Sequence, residues 1–359
     1  MLIEDIKLTN FRNYGECVFR PEKGVNLIVG ENAQGKTNLL EAVFFCCFGR
    51  SHRTAKEKEL IAYDREDARI RLTSQKTDTR HELNIRISQN EKRSIRADGV
   101  PLQRIGDLMG LLNCVLFAPE HLSIVKEGPA ERRRFMDMEL SQTYPAYFFL
   151  LQQYSRVLRQ RNILLKAVRE QPELMQTLPV WDQQLAENGY RLMVYREAFC
   201  AHLSHLAQQN HREISGGREE LCVSYRPDCP VSDEQQLFEL IEQSEKEDLR
   251  RLTTTRGPHR DEMALTLDGR EIRAFGSQGQ QRTAALALKL SELDLIYKET
   301  GEWPILMLDD VMSELDEKRQ KYLLERILPV QTLVTTTSFS TDWPSAGRFR
   351  VQNGHVVRE

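Results

Sequence analysis

The sequence lacks several features that would set its class at once. No apolar run approaches the roughly 20 residues that a membrane-spanning helix needs, and the N-terminal stretch MLIEDIKLTNFRNYG has no basic head before an apolar segment. Its seven cysteines include no C-x-x-C pair, so neither a zinc site nor a disulfide framework is predicted. These absences favour a cytoplasmic protein with reduced thiols and no membrane partner.

An excess of charge of either sign is also missing. The formal net charge is −3, so any binding to nucleic acid must come from a local basic patch. With 359 residues, of which 40% are apolar and 29% charged, the chain is long enough for one large domain or two ordinary ones. Composition alone indicates an ordinary globular protein.

A glycine-bearing loop follows the first apolar run. GVNLIVG (Gly24–Gly30) leads directly into GENAQGKT (Gly30–Thr37), and the apolar pattern NLLEAVFFCCFG comes next. This is G-x-x-x-x-G-K-[ST] between a predicted strand and a predicted helix, where loop N–H groups and the helix N-terminus bind phosphate. The motif predicts nucleotide binding, although by itself it leaves kinases, GTPases, helicases and transporters open.

Each position of this loop has an expected role. Lys36 is predicted to reach the β- and γ-phosphates of ATP, and the Thr37 hydroxyl to bind Mg²⁺. Glycine at positions 30 and 35 lets the backbone approach the phosphates without a Cβ in the way. The predicted ATP-binding residues of the loop are Gly30, Asn32, Gly35, Lys36 and Thr37.

A second motif, WPILMLDDVMSELDEKR, lies near the other end of the chain. Ile305–Leu308 reads as a strand buried on both faces of a parallel sheet. Asp309 at its end is predicted to hold Mg²⁺, and Asp310 to orient or deprotonate the attacking water. A helix pattern (317–327) and a β-branched run (331–338) follow, so the order strand, helix, strand indicates an α/β sheet.

Serine, glycine and glutamines stand together in AFGSQGQQRTAALAL, before a long apolar run. Such a turn caps a helix, and its serine hydroxyl and open N–H groups also make an anion site. A competing segment, ISGGREE (Ile214–Glu220), leads into the strand-like ELCVSY and is interpreted as a plain turn.

Several stretches together resemble the SMC, Rad50 and RecF group of ABC ATPases. They are IKLTNFRNYGECVF (Ile6–Phe19), SQGQQR (Ser277–Arg282), which is similar to the signature sequence, and SELD (Ser313–Asp316). Three more resemble the RecF branch specifically, from end to end of the chain: GRSHRT (Gly49–Thr54), FAPEHLSIVKEGPAERRRFMD (Phe117–Asp137) and TTTRGPHRDE (Thr253–Glu262).

The resemblance implies a role for further residues. Arg12 and Asn13, with Phe11, would lie near the adenine, and the signature residues would bind the nucleotide of a second subunit: Ser277, Gly279 and Gln280. Ser313 and Asp316 would cross to the partner's site. Asp310 and Thr335–Thr337 stand where transporter ATPases usually have glutamate and a switch histidine, which implies slow hydrolysis.

The fold class expected from this resemblance is α/β: an ABC-type ATPase head with a mixed β-sheet and flanking helices. The head is predicted to be split, with residues 1–125 and 250–359 around a mainly helical arm at 126–249. Gly257–Asp261 would mark the return into the head. Helical spacing at Tyr154–Glu170 and Asp182–Ile214 suggests an antiparallel arm.

Basic residues near and on this arm are candidates for DNA contact: Arg132, Arg133 and Arg134, then Arg156, Arg159, Lys166 and Arg169. Their pattern fits a solvated helix face equally well, and it is the resemblance that favours backbone contacts with little sequence preference. Cys200, His202, His205 and His211 show no second ligand pair at zinc spacing, so no metal is assigned to them.

The function implied is a weak Mg-dependent ATPase that dimerises on ATP, binds single-stranded and duplex DNA, and helps load recombinase at gaps or junctions together with recombination mediator proteins. Two other classes stay open. One is the ATPase subunit of a membrane transporter, and the other is a monomeric P-loop enzyme in which SQGQQR only caps a helix.

Overall fold

The structure is a computed structural model that describes residues 1–337 and 347–359, with the side chain of Glu314 left out. Ser338, the last residue of one predicted run, therefore lies outside the described residues. The chain forms two compact units, residues 1–122 with 289–359, and residues 123–288. No helix in the described part of the chain is long and apolar enough to cross a membrane.

The elements of both units follow in chain order. The described strands are β1 (Leu2–Phe11), β2 (Tyr14–Phe19), β3 (Val25–Val29), β4 (Asp67–Gln75), β5 (Arg80–Ser88), β6 (Ser94–Ala97), β7 (Val100–Pro101), β8 (Cys114–Phe117), β9 (Leu221–Arg226), β10 (Glu262–Leu267), β11 (Arg270–Glu271), β12 (Ile305–Asp309), β13 (Thr332–Thr336), β14 (Gly347–Gln352) and β15 (His355–Arg358). The described α-helices are α1 (Lys36–Phe48), α2 (Ser123–Lys126), α3 (Pro129–Thr143), α4 (Pro145–Ala167), α5 (Leu178–Ser215), α6 (Glu234–Gln243), α7 (Glu245–Arg251), α8 (Ile272–Phe275), α9 (Gln278–Thr300) and α10 (Glu317–Arg326).

A largely parallel sheet carries the two motifs of the first unit. Its strand order is β15-β14-β3-β13-β12-β8, with only β15 antiparallel to its neighbour. Strands β3, β8 and β12 are buried along their whole length, as continuous apolar runs in a parallel sheet should be. The predicted strand at Ile305–Leu308 is confirmed, and the phosphate loop and the acid pair follow β3 and β12, which flank β13 in the same sheet.

The second sheet of this unit is antiparallel, with strand order β2-β1-β4-β5-β6-β7. Its long strands β4 and β5 alternate buried and exposed residues over most of their length, the pattern of a sheet with one face on the core. Strand β1 is paired on both sides, and its turn into β2 lies next to the phosphate loop.

The second unit contains the predicted pair of long helices. Arg161 on α4 bonds Asp182 on α5, and Tyr147 on α4 accepts a hydrogen bond from Arg196 on α5. Because the earlier residue of α4 meets the later residue of α5, the two helices run antiparallel. Arg161 is fully buried and also bonds Asp248 Oδ2 at 2.6 Å, which ties α7 to this pair.

The compact units differ from the predicted boundaries. The second unit begins at Ser123 rather than 126, and it extends to Leu288 rather than 249. The added residues belong to it because β10 pairs with β9 and β11 in a three-stranded sheet. Gly257–Asp261, the predicted return into the head, lies inside this unit, where buried Asp261 accepts hydrogen bonds from Arg196 and Tyr225.

Candidate nucleotide-binding site

The phosphate loop connects β3 to α1 and ends in a left-handed glycine. Gly35, at the N-cap of α1, has φ 119°, and a Cβ there would lie 2.6 Å from the side-chain nitrogen of Asn13. Only glycine fits both the conformation and the space. No side chain caps α1, and its first turn has no acidic residue. The N–H groups and the positive end of the helix dipole at its N-terminus are therefore suited to binding an anion.

Lys36 folds back along the loop. Its Nζ donates to the carbonyl oxygens of Gly30 at 2.6 Å and Glu31 at 2.9 Å, and the residue is only 8% exposed. Burial lowers the pKa of this ammonium, while the nearby carboxylates of Asp310 and Asp309 act in the opposite direction. The predicted phosphate-binding lysine and the predicted acid pair therefore act on one another within one site.

Thr37 and Asp309, the predicted Mg²⁺ ligands, are in contact. The Thr37 hydroxyl donates to Asp309 Oδ1 at 3.0 Å. Cis ligands of an octahedral Mg²⁺ at about 2.1 Å are roughly 2.9 Å apart, and oxygen is the ligand atom that Mg²⁺ prefers. The donor set and its spacing therefore fit Mg²⁺ with water or phosphate oxygens completing the shell.

Thr335 joins the two acidic positions from the neighbouring strand β13. It lies directly opposite Asp309 in the sheet, and its hydroxyl donates to Asp309 Oδ1 at 2.6 Å. The Thr335 hydroxyl oxygen in turn accepts the backbone N–H of Asp310 at 3.0 Å. Where transporter ATPases usually have a switch histidine, Thr335 thus orients the predicted magnesium ligand Asp309 and the backbone of Asp310.

Asp310, the predicted catalytic base, has a left-handed backbone. Its φ is 53°, in a region that aspartate adopts more readily than most non-glycine residues, as Asp64, Asp98 and Asp268 also do in this chain. Its side chain is exposed and its carbonyl accepts the Ser313 hydroxyl at 2.9 Å. Asp316 caps α10 by accepting the Arg319 N–H at 2.9 Å.

The β1–β2 turn holds the loop from the other side. Asn13 Nδ2 donates to the carbonyl of Gln34 at 2.8 Å, and the buried Tyr14 hydroxyl donates to that of Gly35 at 2.9 Å. Asn13 Oδ1 also accepts from Asn38 Nδ2 at 2.8 Å. Asn13 is therefore beside the phosphate loop, whereas its predicted contact with adenine stays a prediction.

Arg12 is bound to a residue that sequence reasoning missed. Its guanidinium donates to both oxygens of Glu41, at 2.9 and 2.8 Å, and the side chain of Glu41 is fully buried. Burial alone would raise the pKa of Glu41, but the bonds from Arg12 and Ser51 outweigh it and hold this pKa below its usual value. A single carboxylate within the apolar pattern NLLEAVFF was the available signal.

The signature-like turn opens α9 in the second unit. Ser277 N–H donates to Gln280 Oε1 at 2.7 Å, and Gln280 N–H donates to the serine hydroxyl at 3.3 Å. Ser277 and Gly279 are exposed. The helix cap predicted for this serine is present, while its binding of a second subunit's nucleotide stays a prediction.

The three arginines predicted to contact DNA at 132–134 differ in exposure. Arg132 is 4% exposed and bonds both carboxylate oxygens of Glu262, at 2.7 and 2.8 Å, so it is an internal ion pair. Arg133 is half-buried and donates to the Asp261 carbonyl at 2.7 Å. Arg134 is exposed beside Glu131. The more open basic residues are Arg156, Arg159 and Lys166 on α4 and Arg169 in the turn that follows it.

Cys200 and the three histidines near it in sequence form no metal site. Among residues 1–337 and 347–359, no three His, Cys, Asp or Glu side chains are grouped so as to hold a metal ion. The seven cysteines are free thiols, six of them buried.

A family model and related sequences assign the chain to the same protein family. The model described as RecF/RecN/SMC N terminal domain matches residues 2–341. DNA replication and repair protein RecF of Alkaliphilus oremlandii is 44% identical, over 95% of this chain and 94% of that protein. RecF of Oceanobacillus iheyensis is also 44% identical, over 99% of this chain and 100% of that protein.

Solved structures agree. The recombination mediator protein RecF-ATPrS in the RecFOR pathway superposes with a TM-score of 0.94 at 37% identity, over 99% of this chain and 98% of that one. The Smc head domain from Pyrococcus furiosus, at 17% identity over 99% of this chain and 96% of that one, has a TM-score of 0.58 and shows a shared fold only.

Phosphate loop, acid pair and fold together define an ATP-binding ABC-type ATPase, and the expected α/β head architecture is confirmed. The family model, the related sequences and the solved structures each match nearly the whole chain. The chain belongs to the RecF family of DNA replication and repair proteins.

Proposed function

We propose that this protein binds Mg-ATP, dimerises in response, and in that state binds DNA and helps to load recombinase at single-stranded gaps or junctions in the bacterial cytoplasm. The observation that carries the proposal is the contact of Thr37, Asp309 and Thr335 beside the phosphate loop. The names of its relatives, a DNA replication and repair protein and a recombination mediator, supply the setting.

The ATPase step follows from the groups present. Lys36 and the N-terminus of α1 bind the phosphates, and the bound Mg²⁺ would neutralise charge on the transferred phosphoryl group. Asp310 orients the attacking water and accepts its proton. Because Asp310 is shorter than a glutamate and no histidine stands at 335, hydrolysis is slow and resets the dimer rather than driving movement.

The dimer would complete each site. The exposed Ser277 and Gly279 at the start of α9 present a hydroxyl and N–H groups to the γ-phosphate of a second copy. Ser313 and Asp316, in the segment after the acid pair, would approach the same partner. Two ATP molecules would then be enclosed between two copies of the chain.

DNA binding would depend on contacts between exposed basic side chains of the protein and the phosphates of the DNA backbone. Arg156, Arg159 and Lys166 lie along α4 and Arg169 lies in the turn after it, and no base-reading motif accompanies them. We expect single-stranded and duplex DNA to bind with little sequence preference and with affinity that falls steeply as salt rises. The recombination mediator proteins would act with this DNA-bound dimer.

The test is DNA binding by fluorescence anisotropy across a salt series, using two unrelated sequences as single strands and as duplexes. With Mg-ATP the wild type should bind both sequences alike and at least fivefold more tightly than with ADP. Lys36→Met should lose the ATP effect. Arg156→Glu with Arg159→Glu should reduce affinity and salt slope, whereas Arg65→Glu, an exposed arginine in the first unit, should not. Binding that is indifferent to nucleotide in every variant would contradict the proposal.

A further inference from the structure

The segment that follows α5 contacts the signature-like turn, Ser277–Arg282, through Glu219. Helix α5 ends at Ser215, and Gly216 and Gly217 follow with φ of 79° and 76°. Two residues later, the carboxylate oxygen Oε1 of Glu219 accepts a hydrogen bond from Gln280 Nε2 at 2.8 Å. The ISGGREE segment, interpreted from sequence as a plain turn, therefore ends in direct contact with α9.

The amide of Gln280 is bonded at both ends. Its nitrogen donates to Glu219, and its oxygen accepts the backbone N–H of Ser277 at 2.7 Å. The Ser277 hydroxyl in turn accepts the Gln280 N–H at 3.3 Å. The Ser277 N–H that an incoming phosphate would use is therefore already occupied by the Gln280 side chain.

Glu219 also brings a negative charge to this turn. Its side chain is 24% exposed, and its other oxygen lies 3.9 Å from Nε2 of the fully buried His211 on α5. Only the side-chain amide of Gln280 lies between the Glu219 carboxylate and the Ser277 N–H in this chain of hydrogen bonds. A carboxylate at that position stabilises the helix N-terminus but opposes the arrival of a phosphate at the same place.

We infer that Glu219 is a positioning residue of the signature turn: through Gln280 it holds the turn in its self-bonded form, and this form must open before the nucleotide of a second copy can bind. The inference rests on the proposed ATP-dependent dimer and adds a residue that limits its affinity. Both effects of Glu219, the hydrogen bond and the charge, act in the same direction.

The experiment measures the dimer dissociation constant with Mg-ATP by mass photometry over a dilution series. Glu219→Ala removes the bond and the charge and should lower this constant about threefold to tenfold. Glu219→Gln keeps an acceptor for Gln280 but loses the charge, and should have a smaller effect in the same direction. Binding of a fluorescent ATP analogue to the monomer should not change, because the phosphate loop is untouched.

Glu220 provides the matched control. It is exposed, bonds Gln208 through its side chain and lies one residue from Glu219, but it does not contact Gln280. Glu220→Ala removes the same charge and should leave the dimer constant at the wild-type value. Thermal melting of each variant separates a general loss of stability from a change at the turn.

The outcomes distinguish this inference from the function it rests on. If the wild type dimerises with ATP and both Glu219 variants associate as the wild type does, or more weakly, the positioning role is wrong. An equal gain in Glu220→Ala would also overturn it, since charge alone would then be responsible. A wild type that stays monomeric with ATP rejects the proposed dimer itself, and this inference with it.

Discussion

At the scale of single residues, Thr335 has the most specific consequence. It is fully buried and connects the Asp309 carboxylate to the Asp310 N–H. Thr335→Val keeps the shape but removes both bonds. Because groups that orient a metal ligand typically contribute 10–100-fold to activity, ATP hydrolysis should fall by at least about tenfold. Stability should fall by about 1 kcal/mol, the usual effect of a lost hydrogen bond. Steady-state hydrolysis and urea unfolding measure the two effects.

Thr332 is the control for that substitution. It is equally buried, lies at the opposite end of the same strand β13, and its hydroxyl bonds only the Val330 carbonyl at 3.1 Å. Thr332→Val should cost similar stability and leave hydrolysis unchanged. Equal loss of activity in both variants would mean that Thr335 acts through general stability rather than through Asp309.

At the scale of elements, the β1–β2 turn depends on the Arg12–Glu41 pair. Arg12→Ala leaves the buried Glu41 carboxylate with Ser51 at 2.5 Å and the more distant Arg53 at 3.6 Å. We expect a loss of about 2 kcal/mol, below the ~3–5 kcal/mol for fully buried pairs, because these partners remain. Arg53→Ala, the control, should cost less, since Arg53 is 44% exposed.

The same pair predicts a pH dependence. The folded-state pKa of Glu41 is lowered, so its contribution is present above its unfolded value of 4.5 and is lost as pH falls through the folded pKa. The stability difference between wild type and Arg12→Ala should therefore be constant near neutral pH and shrink on acidification below about pH 4.5. Urea unfolding from pH 7 to pH 3.5 measures it, and a difference that grows in acid would contradict this assignment.

How far the sequence predicts these elements depends on the separation of the interacting residues. The phosphate loop is one continuous stretch, and Asp309 follows a run that reads as a buried strand, so both were predicted with their roles. Arg12 and Glu41 are 29 residues apart, and Glu219 and Gln280 are 61 apart. No local sequence pattern predicts such pairs, because they form only when the sheet and the helices pack.

At the scale of the whole molecule, boundaries were harder to predict than motifs. Helical spacing placed α4 and α5 correctly, but the unit that contains them also includes the sheet of β9, β10 and β11. Strands β9 and β10 pair across more than thirty intervening residues, from Arg226 to Glu262. The predicted arm, which ends at residue 249, is therefore shorter than the compact unit that contains it, which extends to Leu288, since long-range strand pairing has no signature in composition.

In the proposed function, ATP joins two copies of this chain through the signature turn. Its most direct test is oligomeric mass with Mg-ATP, with ADP and without nucleotide, for wild type, Lys36→Met and Ser277→Arg. We expect a dimer only for the wild type with ATP, because Lys36→Met loses the phosphate contact and Ser277→Arg blocks the turn. A monomer under every condition, with ATP hydrolysis unaffected by Ser277→Arg, would contradict it and leave SQGQQR as a helix cap.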